Sequence, residues 1–546
     1  MILLSTPAIL TNEKAAFSVS AQVNDRESCP RESKTRLFVL QYSMSEKILV
    51  RGVNWVGDAV MSMPALKAIK RAYPDAGLTL LVKPSVSPLF DSDRDIDEVL
   101  LYDERFGGLI GKIKLARLLR KRGFSRAILF QNAFDAAFIT FLGGVPERIG
   151  YDRDGRGFLL TKPVPFNHED RKGHHIDYYL NLLRAMGMNA ERTEPWIPLT
   201  LDERLSARER LATLSRPVLG INPGASYGSA KRWFPERFAE VANWFIRDTG
   251  GSVVIFGGKK ETDIAEEIDK SIIDHKLFLA GKTTLRELIS LISECDVLVT
   301  NDSGPMHIAY GVGTPLVTIF GSTAPELTGY ADHRSAVLRN DFDCSPCFER
   351  TCKSEDMKCM WSISSDDVYI ETRRLLPHKK AVFLDRDGTL CRDAGYLNSW
   401  DDFKVFPEIA NLRRLKEKGF LLIGLSNQSG IARGIVERSF VEEVNRLFVE
   451  TCGFDDFSYC PHHPDDHCPC RKPEPGMVIA ARARHKINLR ESYVVGDKDA
   501  DMLLARAVGS RGILVKTGQQ DTSSFADSVA ANLKEAVDLI VSHDCI

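Results

Sequence analysis

Two acids two residues apart mark the first place where this chain could do chemistry. Asp385 and Asp387 stand in Asp385-Arg386-Asp387-Gly388-Thr389, directly after the apolar run Ala381-Val382-Phe383-Leu384. In extended backbone, residues two apart point the same way, so both carboxylates leave the C-terminal end of one strand together. Open α/β sheets bind their ligands at that end. One carboxylate can attack phosphorus there, while the other gives a proton to the leaving oxygen and later takes one from water. A phosphate dianion repels both acids, so the pair needs a cation. More acid follows in Gly496-Asp497-Lys498-Asp499-Ala500-Asp501, again just past an apolar run. The expectation is a Mg²⁺ site with Asp385, Asp387 and Asp497 as oxygen ligands. Ser426 and Asn427, in a polar turn after Leu425, are suited to hydrogen-bond phosphate oxygens, and Lys472 to balance their charge. Each of these features alone is ordinary surface or cap chemistry; their order along one chain is not.

A second constellation precedes Lys472. Cys460, His462, Cys468 and Cys470 form two close pairs that can converge on one tetrahedral Zn²⁺. A closed Cys₃His set leaves no position for water, so such a site is structural. It would brace the loop that runs straight into Arg471 and Lys472. His463 and His467 compete as ligands, and a disulfide-bearing or redox-labile loop is the alternative.

The N-terminal part offers less specific signals. Asp58 follows Gly57 at an expected strand-to-helix turn, where an acid is either a helix cap or a carboxylate facing a cleft. Asn222-Pro223-Gly224 followed by Lys231 reads as a phosphate cradle. Asp302, Ser303, Gly304 and His307 again follow an expected strand, with small residues presenting backbone N–H groups to an anion. Cys344, Cys347, Cys352 and Cys359 form a further cluster, either a metal site or free thiols, and no ligands are assigned to it.

These residues need elements to hold them. With 546 residues, about three domains are expected. Short apolar runs at Lys47–Arg51, Leu78–Val82 and Ala127–Phe130 alternate with helical segments at Pro64–Ala72 and Gly111–Lys121. The same alternation resumes at Val218–Asn222, Val253–Phe256, Val297–Thr300 and Pro315–Phe320, and a third time at Ala381–Leu384, Leu421–Leu425 and Tyr493–Val495. Strand–helix alternation implies parallel α/β sheets. We divide the chain into residues 44–205, 206–376 and 377–546, with a polar linker within Glu191–Arg216. Residues 1–43 are expected to lie outside the fold, with Met44 as the functional start. A net charge of -2 gives no global field for nucleic acid. No apolar stretch approaches the roughly 20 residues of a membrane span.

From about Lys379 the motifs resemble the haloacid dehalogenase superfamily. The resemblance makes Asp385 the nucleophile, Asp387 the acid/base, Ser426 and Lys472 the phosphoryl-binding groups and Asp497 the Mg²⁺ ligand. No long insertion follows the first motif, so a capless domain is implied. The cysteine loop and Asn427-Gln428-Ser429-Gly430 narrow the resemblance to the D-glycero-D-manno-heptose-1,7-bisphosphate 7-phosphatases, with Arg471 toward the distal part of the sugar. Histidinol-phosphate phosphatases have a related loop and are the alternative.

From about Glu46 to Leu376 the chain resembles glycosyltransferase family 9, the lipopolysaccharide heptosyltransferases, and most closely the heptosyltransferase II type. This implies a GT-B fold of two Rossmann-like domains, a nucleotide-sugar donor (ADP-heptose) and a lipopolysaccharide inner-core acceptor. By the same resemblance Asp58 is the catalytic base, Lys231 contacts the nucleotide diphosphate, and Asp302, Ser303, Gly304 and His307 line the donor site. Together the two resemblances imply a bifunctional enzyme of heptose metabolism. It is expected in the cytoplasm, with room for peripheral contact at the inner face of the membrane. Competing readings are a histidinol-phosphatase-like domain on another glycosyltransferase, or a half that only binds its ligand.

Overall fold

The computed structural model describes residues 46–167 and 172–544. The expectations for residues 1–43 and Met44 lie outside the described residues.

Three six-stranded sheets follow one another along the chain, and every strand pairing in them is parallel. The first holds β1 (Lys47–Arg51), β2 (Gly77–Val82), β3 (Glu98–Leu101), β4 (Arg126–Leu129), β5 (Glu147–Tyr151) and β6 (Lys162–Val164), in the order β3-β2-β1-β4-β5-β6. The second holds β7 (Val218–Asn222), β8 (Ser252–Ile255), β9 (Lys276–Phe278), β10 (Val297–Asn301), β11 (Leu316–Ile319) and β12 (Ser335–Leu338), ordered β12-β11-β10-β7-β8-β9. The third holds β13 (Ala381–Asp385), β14 (Leu421–Asn427), β15 (Asp456–Cys460), β16 (Tyr493–Gly496), β17 (Arg511–Val515) and β18 (Ser528–Ala530), ordered β15-β14-β13-β16-β17-β18.

In each sheet the winding direction reverses beside the first strand: at β1/β4, β7/β10 and β13/β16. A crevice opens at such a switch point, above the C-terminal strand ends. The central strands are apolar throughout, as sheets covered by helices on both faces require. Ile48, Leu49 and Val50, Val218–Ile221, and Ala381–Leu384 are buried.

The first two sheets share one continuous core. It runs from Ile48, Val60 and Leu66 through Leu180 to Ile292, Leu298 and Met306. The third sheet has its own core on each face, with Leu384, Phe448 and Val495 on one side and Phe383, Leu425 and Val494 on the other.

Two expectations are corrected. The helix expected from Pro64 begins at Val56 and carries Pro64 inside it, because Ala59–Leu66 are buried against neighbouring helices. The expected polar linker contains the helix Leu201–Arg210, started by a capping box between Thr200 and Glu203 and packed on the helix Leu285–Ser293. The division drawn between residues 205 and 206 therefore falls inside a helix.

No cap domain interrupts the third sheet. Residues 386–420 hold turns, isolated bridges at Cys391, a 3₁₀ segment and the short helix Leu412–Glu417. Among the described residues, no helix is long and apolar enough to cross a membrane.

The third block packs against the second. Arg208 donates to the backbone carbonyls of Arg506 and Ala507, at the C-terminal end of the helix Asp499–Val508. Gly313 lies so close to Ile479 that a Cβ there would sit 2.2 Å from its side chain.

Candidate active sites

At the third sheet, β13 delivers Asp385 and β16 ends just before Asp497, so adjacent strands bring the two acids to one crevice. Asp501 reaches the same place from the first turn of the helix Asp499–Val508. One carboxylate oxygen from each of Asp385, Asp497 and Asp501 lies within 4.8 Å of the other two, and all three residues are buried. Asp385 Oδ2 and Asp497 Oδ1 have no hydrogen-bond partner. Burial, and then the neighbouring Asp385 carboxylate, push Asp497 up to about 7. Burial likewise raises Asp385, although Lys472 opposes it. Three buried carboxylates with orphaned oxygens are what a bound divalent cation would relieve.

Lys472 is buried and paired with Asp385, with Asp501 at 2.7 Å, and it donates to the Leu425 carbonyl at 3.3 Å. Burial alone would lower its pKa, but Asp385 and Asp501 outweigh that and hold the ammonium charged.

Asp387, read from sequence as a metal ligand, has its carboxylate outside this group. It accepts from Gln428 Nε2 at 2.8 Å, from Ser426 Oγ at 3.2 Å and from the Arg386 guanidinium at 3.0 Å. Gly388, at φ 93°, turns the chain there; a Cβ would stand 2.4 Å from Asp497. Asp385 closes β13, whereas Asp387 lies beyond the strand at the turn into Gly388, and the two acids have different partners.

Asn427 is also placed differently from the expectation. Its amide is spent on the backbone of Lys472, accepting from N–H at 3.0 Å and donating to C=O at 3.1 Å. It positions the lysine, while Ser426 Oγ donates to Asp387 and accepts from Gln428 Nε2 at 2.6 Å. The sequence reading missed Asp501 and Gln428 as site residues. Asp501 stands in the acidic run and Gln428 in the polar turn, but neither motif gave them a role of their own.

The cysteine loop follows β15, which ends at Cys460. The ligand atoms of Cys460, His462, Cys468 and Cys470 lie within 4.8 Å of one another. His462 Nδ1 is 3.6 Å from Cys460 Sγ and 3.4 Å from Cys470 Sγ. Hydrogen bonds from Cys460 and Cys470 draw Cys468 toward the thiolate. The histidine-to-sulfur spacings suit a single tetrahedral ion with bonds of about 2.0–2.3 Å, whereas the Cys468 and Cys470 sulfurs, 2.7 Å apart, would have to separate to share it. Arg471 follows, with its buried Nη1 unpaired.

At the first sheet, Asp58 is in the first turn of the helix Val56–Ala72, whose cap position is Trp55, so Asp58 is not the cap. Its Oδ1 is 3.5 Å from His175 Nδ1, and the Tyr179 hydroxyl also bonds to it. Gly57 allows the two halves to meet: a Cβ there would stand 2.6 Å from the His307 ring. His307 Nδ1 bonds the Tyr330 hydroxyl at 2.8 Å, and burial lowers its pKa to about 4.

Across the cleft, β7 and β10 end side by side. Lys231 pairs with buried Asp302 at 2.5 Å, and Thr323 Oγ1 donates to the same oxygen at 2.6 Å. Ser303 caps the helix Gly304–Val312, and Asn222 Nδ2 reaches its Oγ at 3.4 Å. The structure thus gathers Asp58, Lys231, Asp302, Ser303, Gly304 and His307 around one cleft, with two helix N-termini turned toward it.

Cys344, Cys347, Cys352 and Cys359 are free thiols, and among the described residues they do not converge as a ligand group. Their loop packs against the segment that leads into Lys231. Tyr227 donates to the Phe348 carbonyl at 2.7 Å, and Ala230 to that of Arg350 at 3.0 Å.

Comparison with known proteins agrees with both halves. Residues 112–358 match glycosyltransferase family 9 (heptosyltransferase), and residues 469–539 match a HAD-hydrolase-like family. The chain is 32% identical over 307 residues to lipopolysaccharide heptosyltransferase 2 of Salmonella typhimurium, covering 54% of this chain and 88% of that protein. It is 40% identical over 176 residues to the D-glycero-beta-D-manno-heptose-1,7-bisphosphate 7-phosphatase of Haemophilus ducreyi, covering 30% of this chain and 97% of that protein. The solved structure of E. coli ADP-heptose lipopolysaccharide heptosyltransferase II superposes with a TM-score of 0.53 at 28% identity, covering 60% of this chain and 98% of that one. The chain therefore belongs to the family 9 heptosyltransferases, in their GT-B fold, and carries fused behind that domain a HAD-like domain of the heptose-bisphosphate phosphatase family.

Proposed function

We propose that the chain is bifunctional. Its first part transfers heptose from ADP-heptose to a lipopolysaccharide inner-core acceptor, and its last part removes the 7-phosphate from D-glycero-D-manno-heptose 1,7-bisphosphate. The observation that carries the reading is the convergence of two unrelated sites, in one chain, on proteins that handle the same sugar.

In the phosphatase part, Asp385 attacks phosphorus and the sugar oxygen departs with a proton from Asp387. Asp387 then takes a proton from water as that water attacks the aspartyl-phosphate. Gln428 and Arg386 fix the Asp387 carboxylate for both transfers. Lys472 and Ser426 hold the phosphoryl oxygens. Asp385 and Asp497, with Asp501 behind them, would hold Mg²⁺, which supplies charge neutralisation for the phosphate dianion. Cys460, His462, Cys468 and Cys470 would hold a structural Zn²⁺ that fixes the path of the chain into Arg471.

In the transferase part, Asp58 removes the proton from the acceptor hydroxyl as that oxygen attacks the anomeric carbon. Lys231 turns from Asp302 toward the departing diphosphate, and the N-terminus of the helix Gly304–Val312 adds its dipole. Such chemistry belongs in the cytoplasm, with the acceptor presented at the inner face of the membrane.

The test is a side-by-side assay. Purified protein should release phosphate from the β-anomer of heptose 1,7-bisphosphate far faster than from histidinol phosphate, and should consume ADP-heptose when given a heptose-bearing core acceptor. A preference for histidinol phosphate would overturn the phosphatase assignment, and no turnover of ADP-heptose would overturn the transferase one.

A further inference from the structure

At the junction of the two halves lies a partly open cavity of about 40 Å³, whose lining includes none of the residues of the two sites described above. Its wall carries the guanidinium groups of Arg204, Arg208 and Arg216 from the transferase side and of Arg482 and Arg490 from the phosphatase side. Against these five cations stand two carboxylates, Glu294 and Asp296.

The acids are already engaged. Glu294 Oε2 accepts from Arg490 Nη2 at 2.7 Å and from Arg208 Nε at 3.0 Å. Asp296 Oδ2 accepts from Arg216 Nη1 at 3.1 Å and from the backbone N–H of Val218 at 2.7 Å. Arg482 is left with weak company: 3.5 Å to the Cys295 carbonyl and 3.9 Å to Asp296. Its side chain is 10% exposed, and its buried Nε has no partner. Burial also lowers the pKa of Arg204, Arg482 and Arg490. Uncompensated buried cations are costly, and a group that neutralises them and accepts their N–H bonds removes that cost.

The size of the cavity selects the group. One water needs roughly 10–15 Å³ on this measure, so the space holds about three water equivalents, enough for a small tetrahedral ion. Guanidinium groups match tetrahedral oxyanions through paired N–H donors.

We propose that this junction cavity binds one small inorganic oxyanion of the phosphate class, held by Arg482, Arg204 and Arg490, and that the ion bridges the transferase and phosphatase halves. The bridge works whichever sugar either half uses. An ion bound only by the joined arrangement also stabilises that arrangement.

The test titrates inorganic phosphate into the full chain in Mg²⁺-free buffer, with sulfate and chloride as parallel arms. Phosphate and sulfate are expected to bind at one site per chain and to raise the unfolding temperature, with chloride much weaker. Arg482→Leu should weaken that binding by about tenfold or more, as expected for loss of a charged hydrogen-bond donor. Asp385→Asn and Lys231→Ala, which alter the two active sites, should leave it in place. Unchanged binding in R482L would overturn the proposal. So would loss of binding in D385N or K231A, which would move the ion to an active site, and so would equal affinity for chloride. Should R482L fail to fold, wild-type crystals soaked in selenate decide: an anomalous selenium peak in the cavity supports the proposal, and water alone there overturns it.

Discussion

Single side chains divide the labour most clearly in the phosphatase part. Asp385 and Asp387 are two residues apart, yet one sits with two buried acids and the other with donors. Asp385→Asn should cut phosphate release by about a thousandfold or more, since no neighbouring group can replace the nucleophile; turnover of ADP-heptose by the same preparation should be unchanged. Asp58 at the transferase cleft is steadied by His175 and Tyr179. Asp58→Ala should lower kcat by about 10²–10⁴ while donor Kd moves little, as loss of a general base requires. A large loss of donor affinity at unchanged kcat would instead give Asp58 a binding role. Two buried histidines set a pH limit. His174 and His307 are each lowered from 6.5 to about 4 by burial. Their stability contribution is complete above pH 6.5, because neither state binds the proton there. It is lost as pH falls toward 4, because only the unfolded chain takes the proton up. The loss amounts to about 3 kcal/mol for each residue. Denaturant unfolding from pH 7.5 to 4.5 should show the decline, and H174N/H307Q should flatten it.

At the scale of elements, the strands that end at the sites were the legible ones. β1, β7, β10, β13 and β16 are buried on both faces, so each reads as an uninterrupted apolar run. β3, β6, β9 and β18 escaped, because Glu98–Leu101, Lys162–Val164, Lys276–Phe278 and Ser528–Ala530 are short and partly exposed. Pro64 misled for a related reason. Proline marks helix starts by local chemistry, but burial of Ala59–Met63 extended the helix a further two turns upstream. The site acids were legible because strand ends announce them. The clamp of Asn427 on Lys472 was not, since it joins residues far apart in sequence. The cysteine loop is the element most open to test. Cys468→Ser should release about one Zn²⁺ per chain on metal analysis. Phosphatase kcat/KM should fall about 10-fold to 100-fold, as displacement of supporting groups by about 1 Å can cause. A fully active protein without zinc would remove the loop from the account.

The whole molecule is less divided than its sequence suggests. Reading separate motifs treats the halves as independent, whereas Arg208 reaches from one helix to cap the last carbonyls of another across the junction. A cation at that end also meets the negative pole of the helix. Arg208→Ala should therefore cost about 2–3 kcal/mol of docking, the range for hydrogen bonds to a charged group in a shielded place. Thermal unfolding should change from one transition toward two, with the phosphatase part melting first; a single unshifted transition would show that the junction does not depend on Arg208.

The phosphatase part also touches the first block. Lys67, on the helix Val56–Ala72, donates to the His467 carbonyl at 3.4 Å, while Arg208 and Glu294 hold the same part from the second block. Two blades around a cleft ordinarily open and shut by a few hinge residues. A third body in contact with both blades would act as a splint on such a swing.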